Sequence, residues 1–339
     1  MSPARTPSWD VTARTQHRSP LIQPAPRFVG IDVSKAFLDV AARPDGQEFR
    51  LPNTPEGIAT LVERLKAVPP ALIVMEATGG LERAAAVALA EAKFPIRVVE
   101  PSRVRHFALS LGQFSKTDTL DARVLAHFAE SIRPEARALP DEATRQLQAL
   151  LDRRRQLVEI RVAEQNRLRQ GPTAAVRTNL EAHIAYLKGQ IALLDTAVSE
   201  TIAADPTWGP RDAVLRSIPG IGRQTSAMML GSLPELGTLK GKQVSALAGL
   251  APRARDSGKL KGVRTIFGGR GELRRALYMA AISAMRFNPE LRAFYTRLRT
   301  AGKAAKLAII AVARKLLTIA NAMVRDMKPW SPKKATVEI

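Results

Sequence analysis

Apolar and polar positions divide the chain into three regimes. Over residues 27–135, short apolar runs alternate with stretches of helical spacing. Phe28-Val29-Gly30-Ile31-Asp32-Val33 is an apolar run broken by a single acid, the pattern of a buried strand. Past Ser34-Lys35, the apolar Phe37, Leu38 and Val40 predict a second strand over 36–42, and the Pro44-Asp45-Gly46 turn leads into a third, short one over 47–51. Thr54 as N-cap with Pro55 at the first helical position predicts a helix over 55–67. A strand over 71–76, an Ala-rich helix over 81–92, a strand over 96–99 and helices near 102–111 and over 118–131 complete the stretch. Three strands in a meander, then alternating helix and strand, is the order of a ribonuclease-H-like fold.

Residues 136–205 change period. Leu147, Leu150, Leu151, Leu157 and Leu168 mark one amphipathic helix, and Gly171-Pro172 ends it. Leu180, Ile184, Leu187, Ile191, Leu194, Val198 and Ile202 then follow at spacings of four, three, four, three, four and four, close to a heptad seam. The expectation is an antiparallel helical hairpin or coiled coil, its apolar stripe serving as core or as an oligomer contact. Asp205 to Pro210 reads as a loop and a boundary. Residues 206–330 are again mainly helical, with helices over 272–286, 290–299 and 304–327. The fold class is therefore α/β followed by all-α. Residues 1–26 read as a disordered basic tail and 331–339 as a short polar one.

Composition narrows the partners. The 339 residues carry a formal net charge of +21, which points to a polyanion, most simply nucleic acid. With aromatics at 5% and no helix both basic and aromatic-rich, a membrane surface is the weaker reading. There is no cysteine, hence no disulfide, thiolate metal site or cysteine nucleophile, which fits a reducing cytosol. The four histidines lack an H-x-x-x-H pairing, which disfavours zinc. No run of 18 apolar residues is found, so no transmembrane helix is expected.

The candidate chemistry begins with Asp118 and Asp121. Three residues apart on a helix, they point the same way, beside an apolar stripe of Leu120, Val124, Leu125 and Phe128. A lone D-x-x-D is usually surface charge. Here two apolar strands carry an acid each, Asp32 and Glu76, and burying a carboxylate is costly unless it is paired or metal-bound. In a ribonuclease-H-like arrangement the first and fourth strands lie side by side and a late helix crosses them. Asp32, Glu76, Asp118 and Asp121 could then share two Mg²⁺ or Mn²⁺ ions about 3.5–4 Å apart. Asp39 reads instead as a surface hairpin acid.

The basic half offers phosphate contacts. Ile218-Pro219-Gly220-Ile221-Gly222-Arg223, between two apolar helical segments, looks like a helix-hairpin-helix, in which Gly220 and Gly222 admit a phosphate and the next helix offers free N–H groups. A plain helix–helix turn is the alternative. Between 253 and 275 there are eight Arg or Lys against two acids, among them Arg253, Arg255, Lys259, Lys261 and Arg270. Ser257, followed by Gly258, lies among these cations, placed to meet a phosphodiester or serving simply as a turn residue. Gly268-Gly269-Arg270-Gly271 could seat a phosphate on a helix N-terminus. Arg153, Arg154, Arg155, Arg161, Arg167 and Arg169 form either a solvated or a phosphate-tracking face of the hairpin.

Taken together, Gly30-Ile31-Asp32-Val33-Ser34-Lys35, Met75-Glu76-Ala77-Thr78-Gly79 and Lys116-Thr117-Asp118-Thr119-Leu120-Asp121-Ala122 resemble the RuvC-like domain of the DEDD transposases of the insertion-sequence family IS-one-ten. Ile218-Pro219-Gly220-Ile221-Gly222, Gly249-Leu250-Ala251-Pro252, Ser257-Gly258 and Leu273-Arg274-Arg275-Ala276-Leu277-Tyr278 resemble that family's C-terminal transposase domain. The resemblance covers about 27–330. It implies a site-specific recombinase guided by a structured non-coding bridge RNA that pairs with donor and target DNA. It implies Mg²⁺ on Asp32, Glu76, Asp118 and Asp121, a covalent 5′-phosphoserine on Ser257, and a tetramer with composite active sites. Such a protein would work in the cytoplasm, at the nucleoid. Two other readings stand beside it: a metal-dependent junction nuclease that uses the four acids and water, and a non-enzymatic nucleic-acid scaffold.

Overall fold

The structure, a computed structural model, describes residues 25–113, 118–137, 139–253, 262 and 264–331, without the side chains of 118–120. Most of the expected tail over 1–26, and of that over 331–339, lies outside the described residues. The chain forms two compact units, separated in sequence between Leu139 and Pro140.

The first unit runs β1 (Phe28–Val33), β2 (Phe37–Arg43), β3 (Glu48–Pro52), α1 (Pro55–Ala67), β4 (Leu72–Glu76), α2 (Arg83–Glu91), β5 (Ile96–Val99), α3 (Pro101–Ser110) and α4 (Asp118–Ile132). The sheet order is β3-β2-β1-β4-β5. Strands β1, β2 and β3 pair antiparallel, whereas β1–β4 and β4–β5 are parallel. This is the ribonuclease-H-like topology that the order of elements predicts. Thr54 caps α1 as expected, its hydroxyl accepting from the Gly57 N–H at 3.3 Å.

Strands β1 and β4 are apolar on both faces up to their acids, Asp32 and Glu76, because both sheet faces are covered. On one face Val29, Ile31, Val33, Ile73 and Met75 pack with Leu61 and Leu65 of α1 and Leu89 of α2. On the other, Phe28, Leu72, Val74 and Val99 pack with Val104 of α3 and Val124, Leu125 and Phe128 of α4. Side chains alternate along a strand, so Asp32 and Glu76 belong to the face of α3 and α4. Gly30 sets the approach of α4. A Cβ there would lie 2.2 Å from the Ala126 nitrogen and 2.4 Å from the Ala122 oxygen. Ala41, Ala122 and Ala126 continue this close contact of helix and sheet.

The second unit begins with α5 (Glu142–Arg169) and α6 (Ala174–Ala204), joined through Gly171-Pro172. Arg154 meets Asp195 and Glu164 meets His183, so the two helices run antiparallel. Leu157, Leu187 and Ile191 fill the seam between them. There follow α7 (Trp208–Arg216), α8 (Arg223–Ser232), α9 (Gly241–Leu247), β6 (Pro252–Arg253), β7 (Thr265–Ile266), α10 (Gly271–Phe287), α11 (Pro289–Thr300) and α12 (Ala305–Asp326). The base of the hairpin, through Leu147, Leu151, Val198 and Ile202, belongs to the same core as α7–α12.

One local expectation needs correction. The loop expected over 205–210 is shorter, because α7 starts at Trp208. Asp205 makes the corner, its Oδ1 accepting from the N–H groups of Thr207 at 2.8 Å and Trp208 at 3.0 Å. The Thr207 hydroxyl, and after it these backbone bonds, hold the Asp205 carboxyl below its ordinary pKa. Helix α12 has the length and apolar composition of a membrane span. Its apolar stripe is spoken for: Ala308, Val312, Ala313, Leu316, Leu317, Ala320 and Val324 are buried in the core of this unit.

Candidate active site

Asp32 stands near the end of β1 and Glu76 at the end of β4. Each follows directly on the Ile31–Met75 pair of the parallel ladder. The two acids are thus neighbours on adjacent strands, half-buried, on the face that α4 covers. Asp121, also half-buried, lies in the first turn of α4 next to Ala122, whose carbonyl reaches Gly30. Asp118 opens the same helix, and its side chain lies outside the described residues. The first turn of a helix carries partial positive charge, which favours carboxylates there.

Two further acids shape this end of the sheet, and neither has a strong signal in the sequence. Asp39, expected at the surface, is buried at 8% exposure. It faces Asp32 across the β1–β2 ladder and both of its oxygens accept from Arg50. The Asp39 side chain is buried because Ala41, two residues on, brings that face of β2 under α4. Glu82, likewise buried, fixes the loop that follows Glu76. Its Oε2 accepts from the N–H groups of Thr78 at 3.0 Å and Gly80 at 2.9 Å.

The donors at this site are carboxylate oxygens, hard ligands that fit a hard divalent cation. Among the described residues, no group of three or more His, Asp or Glu side chains stands ready to hold a metal ion. Asp32, Glu76 and Asp121 share a face without forming such a group, and the fourth expected ligand, Asp118, lies outside the described side chains.

The basic residues of the second unit sort into exposed and committed groups. Gly222 is the N-cap of α8, exposed, with open space where a Cβ would stand, and Arg223 beside it is exposed too. Arg253 on β6 is exposed. Gly220, expected at a phosphate, also serves packing within the unit. At φ +108° its missing Cβ makes room for Ala284 of α10, whose Cα would lie 2.5 Å away. Arg270, also expected to contact nucleic acid, donates to both oxygens of Glu235 at 2.8 and 2.9 Å. Burial lowers its guanidinium's pKa from the ordinary value. Gly269 of the glycine turn packs on Gly249, and Arg274 donates to the Gly268 carbonyl at 2.5 Å. Along α5, Arg154, Arg155 and Arg167 pair with Asp195, Glu159 and Glu164. Ser257, Arg255, Lys259 and Lys261 lie outside the described residues.

A ribonuclease-H-like sheet with acids on one face, followed in the chain by a helical unit with exposed arginines, suits work on nucleic-acid phosphodiesters. Comparison with known proteins gives the family. Residues 29–171 match the DEDD transposase model of IS110, and residues 212–296 match the transposase model of the IS116/IS110/IS902 family. The chain is 30% identical over 322 residues to the pilin gene-inverting protein of Moraxella bovis, covering 90% of this chain and 98% of that one. It is 30% identical over 159 residues to an insertion element IS110 protein of Streptomyces coelicolor, covering 46% of this chain and 38% of that one. Thermus thermophilus RuvC, solved with a Holliday junction substrate, aligns at 17% identity with a TM-score of 0.26, covering 33% of this chain and 98% of RuvC. The chain belongs to the IS110 family of transposases, enzymes that rearrange DNA.

Proposed function

We propose that this transposase cuts and rejoins DNA strands through a covalent ester on Ser257, at divalent ions held by Asp32, Glu76, Asp118 and Asp121. The observation that carries the acid half of the reading is the ladder position of Asp32 and Glu76. They come from separate parts of the chain, stand on neighbouring strands and face the helix that bears Asp121. Divalent ions bound there, Mg²⁺ or Mn²⁺, would neutralise phosphate charge and polarise the reacting oxygens. The Ser257 oxygen attacks phosphorus, an Oγ–P bond forms and the P–O3′ bond breaks. The leaving 3′-oxygen takes up a proton, and a 5′-phosphate stays on the serine. Attack by a new 3′-hydroxyl reverses these events and returns the proton to serine, so no ATP is consumed.

Exposed Gly222, Arg223 and Arg253 support a backbone-tracking role for the second unit. The family likeness supports a guide, a structured bridge RNA that pairs with both DNA partners, together with a homo-oligomer and a cytoplasmic, nucleoid setting. The test uses the full chain, DNA spanning the element ends, the flanking non-coding transcript and Mg²⁺, resolved on a denaturing gel. A protein–DNA adduct is expected from the wild type and none from Ser257→Ala. Cut DNA without an adduct would favour the plain nuclease. Unchanged DNA transactions in Asp118→Asn and Asp121→Asn would favour the scaffold. An adduct that forms equally well without the transcript would remove the guide.

A further inference from the structure

One row of side chains crosses the sheet at the level of the acids. Arg50 of β3 is the ladder partner of Asp39 of β2, and Asp39 is the partner of Asp32 of β1. Glu76 of β4 continues the row one step past the Ile31–Met75 pair. Residues directly opposed on adjacent strands share a face, so three carboxylates stand in succession across three strands.

The first of the three differs from the others. Asp39 is 8% exposed, which takes it out of water beside a second acid. A bare carboxylate in that position would repel Asp32 and would itself be an oxygen donor for any cation drawn to the row. Arg50 prevents both. Its Nε donates to Asp39 Oδ1 at 2.7 Å and its Nη2 to Oδ2 at 3.1 Å, so each oxygen has a cationic partner. The Phe37 ring lies 5.0 Å from the guanidinium carbon and holds the fork over the sheet edge. Only a guanidinium meets both oxygens of a carboxylate in one plane, and it keeps its charge at any working pH.

We propose that Arg50 withholds Asp39 from the divalent ions, so that the ligand row begins at Asp32 and continues to Glu76; this rests on the metal-site reading above. Arg50 and Asp39 are thus positioning residues: they decide which acids of the row are available and where the cations sit, without touching the reacting atoms.

The test is Mn²⁺ binding to the full chain without DNA, followed by the electron paramagnetic resonance of the free ion. Asp39→Asn is expected to bind the same number of ions as the wild type, with affinity within about twofold. Arg50→Gln releases Asp39 and is expected to bind one more ion, or to bind roughly tenfold tighter. The double variant Arg50→Gln, Asp39→Asn is expected to return to wild-type binding. A loss of Mn²⁺ in Asp39→Asn would overturn the proposal, since Asp39 would then already be a ligand. So would unchanged binding in Arg50→Gln. If Arg50→Gln does not fold, Arg50→Lys serves, because an ammonium covers one oxygen at a time; it too is expected to gain affinity, and no gain overturns the proposal. A wild-type chain that binds no Mn²⁺ sinks the metal-site reading as well, whereas normal wild-type binding with silent Arg50 variants sinks this proposal alone.

Discussion

Arg123, on the turn of α4 that carries Asp121, donates to both oxygens of Glu48 on β3, at 2.5 and 2.8 Å. With the pair of Arg43 and Glu130 at 2.6 Å, it ties the helix to the antiparallel edge of the sheet. The hydrogen bond from Arg123 holds the Glu48 carboxyl below its ordinary pKa of 4.5. A lowered folded-state pKa means that the stabilisation is complete above pH 4.5 and is lost as pH falls through the lowered value. Thermal melts are expected to show a small acid-side loss in the wild type, small because the pair is exposed. In Glu48→Gln that part of the pH dependence is expected to vanish.

Removing a ligand should separate activity from stability. Asp32→Asn, Glu76→Gln and Asp121→Asn are each expected to lower strand cleavage by about a hundredfold or more, since even the outer partners of metal ligands are worth about 10–100-fold. Cleavage assays measure the loss. Melts of the same variants in metal-free buffer show whether the fold survives each change.

Gly30→Ala is expected to destabilise the first unit by about 3 kcal/mol, the upper end of typical overpacking costs. The added methyl group would meet backbone atoms of Ala122 and Ala126, which cannot rotate away as a side chain would. Denaturant titration of the variant measures the loss. Metal binding is expected to weaken with it, because α4 must lift from β1 and Asp121 moves with the helix.

The two glycines of the helix–helix turn should behave differently. Gly220→Ala combines a positive φ with a clash against Ala284, so a loss of more than about 1 kcal/mol in stability is expected. Gly222→Ala has open space and an ordinary extended backbone, so only the N-cap preference for glycine over alanine is lost, about 0.5–1 kcal/mol. Melts of the two variants are the check. DNA affinity is expected to respond to Gly222, which faces outward.

Among the arginines, Arg270→Ala is expected to cost about 2 kcal/mol in stability, because it removes two charge-assisted bonds from half-buried Glu235. Its effect on DNA binding is expected to be minor. Arg223→Ala and Arg253→Ala should leave the melting temperature unchanged and each reduce the salt dependence of DNA binding by about one unit of slope. Fluorescence titrations over a salt series distinguish the two groups.

The parts legible from sequence were those set by local rules. Apolar runs and the Pro44-Asp45-Gly46 turn predicted all five strands of the first unit, and the spacing from Leu180 to Ile202 predicted the long second arm of the hairpin. Asp32, Glu76 and Asp121 came to one sheet face as their strands and helix required. What remained hidden depended on distant partners. Nothing near Asp39 in the chain reveals that α4 would cover it, and Arg50 became its partner only through the pairing of β2 with β3. Nothing beside Gly220 in the chain reveals that Ala284, far along it, packs there. The short helix α9 and the two-residue strands β6 and β7 carry too few residues to show a period.

The parallel pairing of β1 with β4 frees the stretch between Asp32 and Glu76 from any duty to measure their separation. That stretch leaves the sheet's centre and returns to it, so relatives could lengthen or trim the excursion through β2, β3 and α1 and keep these two carboxylates at one strand's spacing. The helix bearing Asp121 has no such latitude. Its height above the sheet is fixed by the absence of a single methyl group, which makes Gly30 the gauge block of the assembly.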